Sequence, residues 1–224
     1  IMLVMVLVMI TMSVASANRI VQVLKTESTL VSPENGVKEV KNGDIEFDNV
    51  NFSYAPESGK YALRNVDLKI KAGETVGILG GTGTSKSTLV QLIPRLYDTT
   101  TGSVKVGDVD VRDYDLVALR SAVAMVLQKN VLFSGTIKEN IRWGKPDATD
   151  EEIVAACKLA QADEFVSSFP DGYDTYIEQG GTNVSGGQRQ RLCIARAIIA
   201  DPKVIIFDDY TSEVDTKTDA LIRK

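Results

Sequence analysis

An α/β fold is predicted, in which a strand, loop and helix core carries an N-terminal antiparallel β subdomain and an inserted helical subdomain. Three observations predict it. Residues 44–111 carry short runs of apolar and polar side chains in alternation, broken by Gly and Asp turns. Two short apolar runs, 75–79 and 204–207, lead into glycines and carboxylates respectively, as buried strands delivering loops to one edge do. Between them, from about 136 to 200, the spacing turns helical, which places a helical insert inside the α/β core.

The elements follow in chain order. Ile45 to Val50 and Val66 to Ile70 alternate as half-buried strands, the second ending at the Ala72-Gly73 turn. Thr75 to Leu79 is a strand running into a Gly-rich loop, and Thr88 to Leu96 has helical spacing after it. Ser103 to Val111 is a hairpin around Gly107-Asp108, a favoured turn pair. Ala122 to Leu127 is a buried strand. Thr149 and Glu152 form a capping box ahead of Ile153, Ala156 and Ala160, and a shorter helix over Asp163 to Phe169 is closed by Pro170. Val204 to Phe207 returns to strand.

A length of 224 residues fits one large domain or two modest ones, with a core that needs no covalent staples. The net charge of -5 argues against a nucleic-acid duplex as main partner, since phosphate backbones select basic surfaces. The chain has no histidine, which excludes His-based triads and His-ligated metals. Cys157 and Cys193 fall in helical patterns and read as two reduced, buried thiols.

Ile1 to Ala17 is uncharged and apolar. One reading is a signal peptide with Val14-Ala15-Ser16-Ala17 as its small-residue cleavage site, although a positive leading segment is missing. The other is the cytoplasmic end of a transmembrane helix, with Asn18, Arg19 and Lys25 on the positive inner flank, and this is the favoured one. The expected organisation is a membrane-helix end over 1–24, a polar linker over 25–43, and a folded domain from Asp44 to Lys224.

The residues with chemistry form three groups. Gly80-Gly81-Thr82-Gly83-Thr84-Ser85-Lys86-Ser87-Thr88 is a phosphate loop: its backbone N–H groups form a nest, Lys86 neutralises the β and γ phosphates, and the Ser87 hydroxyl ligates magnesium. Ser85 stands where the pattern asks for glycine, and its Cβ crowds the place where backbone approaches phosphate. At the end of the 204–207 strand, Asp208 is placed to bind magnesium through water and Asp209 stands where a general base would sit. Aspartate is one methylene shorter than glutamate, a displacement that can cost about two orders of magnitude in rate. Ser185-Gly186-Gly187-Gln188 is a polar turn feeding a long helix, whose N-terminal N–H groups suit an anion.

Taken together these residues resemble the ATP-binding cassette of ABC transporters, over Asp44 to Lys224. The 80–88 segment is similar to the Walker A motif, Val204-Ile205-Ile206-Phe207-Asp208-Asp209 to Walker B, and Val184-Ser185-Gly186-Gly187-Gln188 to the family signature, with Val where Leu is usual. Gln128 resembles the glutamine loop, Tyr54 the aromatic that stacks on adenine, Ser212-Glu213-Val214-Asp215 the D-loop, and Ile177 to Gly181 the cross-subunit loop of exporters.

The resemblance implies ATP as nucleotide and Mg2+ as metal, held by Ser87, Gln128 and Asp208, with Gln128 sensing the γ-phosphate and contacting the membrane domain. It implies an exporter subunit on the cytoplasmic side of a membrane, paired head to tail with a second ABC subunit, without nucleic acid as partner. Each ATP then lies between one chain's Walker motifs and the other's signature. Asp209 in place of the catalytic glutamate, beside an intact Ser-Gly-Gly-Gln, implies the degenerate half of a heterodimer, although a homodimer is possible. The switch histidine of the family falls outside these residues. The alternative, a soluble ABC-type ATPase acting on nucleic acid or ribosomes, is opposed by the acidic charge and the apolar N-terminus.

Overall fold

The computed structural model describes residues 2–208, in two compact units divided between Val31 and Ser32. In the first unit, helix α1 spans Met2–Leu24 and buries none of its side chains. It is 23 residues long, with an 18-residue window of mean hydropathy 1.8, long and apolar enough to cross a membrane. At 1.5 Å per residue such a helix reaches about 34 Å, against a hydrocarbon core of about 30 Å. The helix continues past the uncharged stretch through Asn18 and Arg19. Thr11 and Ser13 turn their hydroxyls back onto the carbonyls of Val8 and Met9, so the helix satisfies its own polar groups.

In the second unit, β1 (Ile45–Phe52), β2 (Leu63–Ile70), β3 (Thr101–Val106) and β4 (Val109–Asp110) form an antiparallel sheet of order β2-β1-β3-β4. Register is set by the buried face: Phe47 of β1 lies between Leu68 of β2 and Val104 of β3. The β3–β4 turn is the expected Gly107-Asp108, both at positive φ, 58° and 68°, as a two-residue hairpin of this hand requires. Segment 32–43, the second half of the stretch read as a linker, lies against this unit, with Val40 in the core and Val37 bridged to Tyr114.

β5 (Val123–Val126) and β8 (Val204–Phe207) form a parallel pair, Val123 opposite Val204 and Val126 opposite Phe207. Alternation along this pair joins the two cores. Val123, Met125, Val204 and Ile206 pack with the antiparallel sheet, whereas Ala124, Val126 and Phe207 pack with the helices.

Those helices are α4 (Ile137–Arg142), α5 (Asp150–Leu159), α6 (Asp163–Ser168) and α7 (Gly186–Ile198). The Thr149–Glu152 capping box is present as expected, and Thr136–Glu139 and Ser185–Gln188 form two more. A short antiparallel pair, β6 (Gly135–Thr136) with β7 (Tyr176–Ile177), closes this side. Both cysteines are free and buried among these helices.

Two expectations are corrected. Thr75 to Leu79 does not form a strand: no ladder partner meets it among the described residues, and Leu79 is 96% exposed. A strand exists by its neighbour's hydrogen bonds, which an apolar run alone does not supply. The helix expected over Thr88 to Leu96 is α2, Lys86–Gln91, followed by turns and by Arg95 at φ 51°. A further helix, α3 (Leu116–Ala122), is capped by the Asp115 carboxylate, which accepts from the N–H groups of Val117 and Ala118.

Candidate nucleotide site

The Gly-rich loop is held by its own side chains. The Lys86 ammonium donates to the carbonyls of Gly80 and Gly81, both at 2.9 Å, and the Thr84 hydroxyl donates to Gly81 at 2.9 Å. A Cβ at Gly80 would lie 2.6 Å from the Thr84 Oγ1, so any larger residue there displaces the Thr84 hydroxyl that holds this form of the loop.

Ser85 adopts φ 62°, ψ 24°, the left-handed region. A β-carbon there costs about 1–2 kcal/mol relative to the right-handed conformation. The missing glycine is thus a backbone matter as well as the crowding of phosphate expected from sequence.

Ser87 and Asp208 come together across the unit, the serine hydroxyl donating to the carboxylate at 3.1 Å. Asp208 is placed by the parallel pair, since its N–H donates to the Val126 carbonyl and extends the β5–β8 ladder by one step. Two hard oxygen donors on neighbouring elements, beside a loop suited to phosphate, are a donor set that fits Mg2+, which takes one or two protein oxygens and completes its shell with phosphate and water.

Tyr54 follows β1 and is 57% exposed. Its hydroxyl lies 3.0 Å from the Thr88 hydroxyl, which ties the expected base-stacking ring to the residue after Ser87. Phe52 and Tyr97, neither of them among the expected site residues, flank that ring edge-on at 4.8 and 5.2 Å. Nothing local in the sequence announces Tyr97, since its contact is made through the tertiary fold.

Gln128 lies exposed just past β5, in the irregular segment leading to Leu132. Beside it a groove of about 690 Å³ is lined by Leu127, Asn130, Phe133, Trp143 and Arg196 among others. Phe133 and Trp143 stack at 4.7 Å, and the Arg196 guanidinium lies 5.9 Å from the Phe133 ring centre.

Ser185 caps α7: its hydroxyl oxygen accepts from the Gln188 N–H, and the Gln188 side chain accepts from the Ser185 N–H. The hydroxyl hydrogen is left to donate elsewhere. Upstream, the Gly180 N–H donates to the Leu132 carbonyl and Arg189 donates to the Gly180 carbonyl, which fixes the 177–181 loop against α7. Among the described residues, no hydrogen bond of Ser185 or Gln188 reaches the 80–88 loop. The structure therefore joins Tyr54 to Thr88 and Ser87 to Asp208 beside the Gly-rich loop, while the hydrogen bonds between Ser185 and Gln188 close their own helix. Asp209 and the Ser212 to Asp215 segment lie outside the described residues.

A Gly-rich loop suited to phosphate, a strand-end aspartate meeting its serine, and a helical insert are the arrangement of a nucleotide-binding domain of the P-loop class. The sequence pattern of the family described as ABC transporter matches residues 63–212. The chain is 44% identical over 216 residues to the protein YgaD of Bacillus subtilis, covering 96% of this chain and 37% of YgaD. It is 48% identical over 206 residues to YfiB of the same organism, described as an uncharacterized ABC transporter ATP-binding protein, covering 92% of this chain and 36% of YfiB. A solved bacterial Atm1-family ABC exporter with ATP bound superposes with a TM-score of 0.87 at 32% identity, over 96% of this chain and 37% of that one. The chain belongs to the ABC transporter family and carries its ATP-binding domain, spanning a little over a third of the length of these relatives.

Proposed function

We propose that this chain is the nucleotide-binding portion of an exporter subunit, working on the cytoplasmic side of a membrane and coupling ATP binding to transport. The observation that carries this reading is the Ser87–Asp208 hydrogen bond, which joins the phosphate loop to the strand-end carboxylate. In this reading the backbone of the loop and Lys86 bind the triphosphate, after the ammonium leaves the carbonyls of Gly80 and Gly81. Ser87 and Asp208 hold Mg2+, with Gln128 completing its surroundings. The metal supplies charge neutralisation at the β and γ phosphates. Tyr54 stacks on the base.

We assign Ser185 to Gln188 to the ATP of a second ABC subunit. The capping box leaves the Ser185 hydroxyl hydrogen and the first N–H groups of a 13-residue helix available to a γ-phosphate. Asp209 is the residue assigned to the general-base position of the chain's own site. With Ser85 strained in the loop, that site turns over weakly and the chain is the degenerate half of a heterodimer. The groove beside Gln128 is assigned to the membrane domain, whose contact passes closure on to the transport path. Its exposed stacked aromatics and the unpartnered buried Nδ2 of Asn130 and Nη1 of Arg196 support that assignment.

Equilibrium binding and turnover on the full chain in detergent test the reading. ATP binds with Mg2+ present, Lys86→Ala abolishes binding, and Ser85→Gly tightens it. Turnover of the unmodified chain alone stays well below about 1 per second, the lower end of ordinary enzyme rates, and Asp209→Glu with Ser85→Gly raises it. Turnover at ordinary enzyme rates without those changes sinks the degenerate assignment, and no ATP binding at all sinks the function.

A further inference from the structure

An exposed tyrosine ordinarily has two freely rotating side-chain torsions, and Tyr54, though 57% exposed, is held on three sides. Its hydroxyl meets the buried Thr88 at 3.0 Å, and its ring meets Phe52 at 4.8 Å and 81° and Tyr97 at 5.2 Å and 90°. Phe52 is a core residue, 3% exposed, and has a packing reason to be there. Tyr97 is 41% exposed and does not belong to the core.

The turn that carries Tyr97 is nevertheless firmly built. Arg95, 6% exposed, donates to both carboxylate oxygens of Asp98, at 2.7 and 3.2 Å. From α3, Arg120 donates to the carbonyls of Pro94 and Arg95, at 3.3 and 2.9 Å. Arg120 clamps the backbone on one side of Tyr97 and the Arg95–Asp98 ion pair spans it, so the ring is presented to Tyr54 by a fixed turn.

We propose that Tyr97 is a positioning residue for the nucleotide base: it holds the Tyr54 ring, with the Thr88 bond as second anchor, in the orientation that receives a planar purine. The inference rests on the nucleotide-site reading above and adds to it how the base platform is set. Ordering that ring before the ligand arrives removes an entropic cost from binding, which is how preorganisation raises affinity. Edge-to-face aromatic pairs contribute enough to shift a dissociation constant by about 3- to 10-fold.

The test compares magnesium ATP with magnesium tripolyphosphate, which has the phosphates and no base, on the full chain in detergent. Tyr97→Leu is expected to weaken ATP about 3- to 10-fold and to leave tripolyphosphate unchanged, and Tyr97→Phe to restore ATP affinity. Tyr54→Phe, which keeps the ring and removes the hydroxyl, is expected to weaken ATP by a smaller factor through loss of the Thr88 anchor. Unchanged ATP affinity in Tyr97→Leu, or an equal loss for both ligands, overturns the positioning role while leaving the nucleotide site standing. A wild-type chain that binds neither ligand overturns both.

Discussion

The helical side of the second unit and its phosphate-loop side are built on opposite principles. Around α7 the helix ends and the apolar core are closed internally: three capping boxes close the N-termini of α4, α5 and α7, and Leu192, Ile194, Ile153 and Ile141 are completely buried in one cluster. Around residues 75–88 the backbone has no ladder among the described residues, Val76, Ile78 and Leu79 are exposed, and the loop is held by Lys86 and Thr84 bonding to its own carbonyls. One side closes its apolar core, whereas the loop proposed to receive nucleotide keeps its donors on bonds that can be exchanged.

Substitution in the two regions should separate them most clearly. Leu192→Ala is expected to cost about 2–5 kcal/mol by urea denaturation, because it leaves a cavity in a closed core, while Leu79→Ala should change stability by less than about 0.5 kcal/mol. Comparable losses would erase the distinction. Caps provide a finer test. Ser185→Ala and Thr149→Ala should each lose about 1 kcal/mol of helix capping, but in the assembled transporter only Ser185→Ala should also depress ATPase activity, and by more than Asp209→Ala does. Equal effects of Ser185 and Asp209 substitutions would undermine the assignment of the signature to a partner's ATP.

On the loop side, Ser85→Gly should stabilise the nucleotide-free chain by about 1 kcal/mol, since glycine adopts the left-handed region without the Cβ penalty. An unchanged melting temperature would show that the strain is relaxed elsewhere. The smallest effect concerns Cys157, whose thiol burial pushes up to about 12, opposed by its hydrogen bond with Tyr173. A raised value means the neutral thiol is favoured in the folded state. Its contribution to stability is therefore complete below the ordinary thiol pKa of 9.0 and is lost as pH rises toward 12. Alkylation of native Cys157 should accordingly stay slow at pH 9, where the unfolded chain reacts readily.

Much of this contrast was legible in the sequence, and unevenly so. The Thr149–Glu152 box, the Gly107-Asp108 hairpin and the 204–207 strand are local devices, fixed by neighbours within a few positions, and all three are present. The 75–79 run carried the same apolar signal as 204–207, but a strand needs a second strand, and only 204–207 has one among the described residues. In the site, Ser87 and Asp208 were each named from sequence and their meeting is a product of the fold. Tyr97 was not, because a ring against a ring leaves no periodicity. Ser85 was read as a steric intrusion on phosphate, and its left-handed backbone became visible only with the dihedral angle.

The Ser87–Asp208 bond joins positions 121 residues apart. Closing so long a loop costs entropy that grows only with the logarithm of its length, yet such non-local contacts, and parallel strands like β5 and β8, belong to the slow steps of folding. The proposed magnesium site is therefore expected to assemble after the helices within that loop have gathered. In the proposed reading nucleotide would bind only chains that have completed this step, so ATP would act on the newly made protein as a selective stabiliser of its finished form. In refolding experiments, protection by nucleotide should appear later than helical circular dichroism.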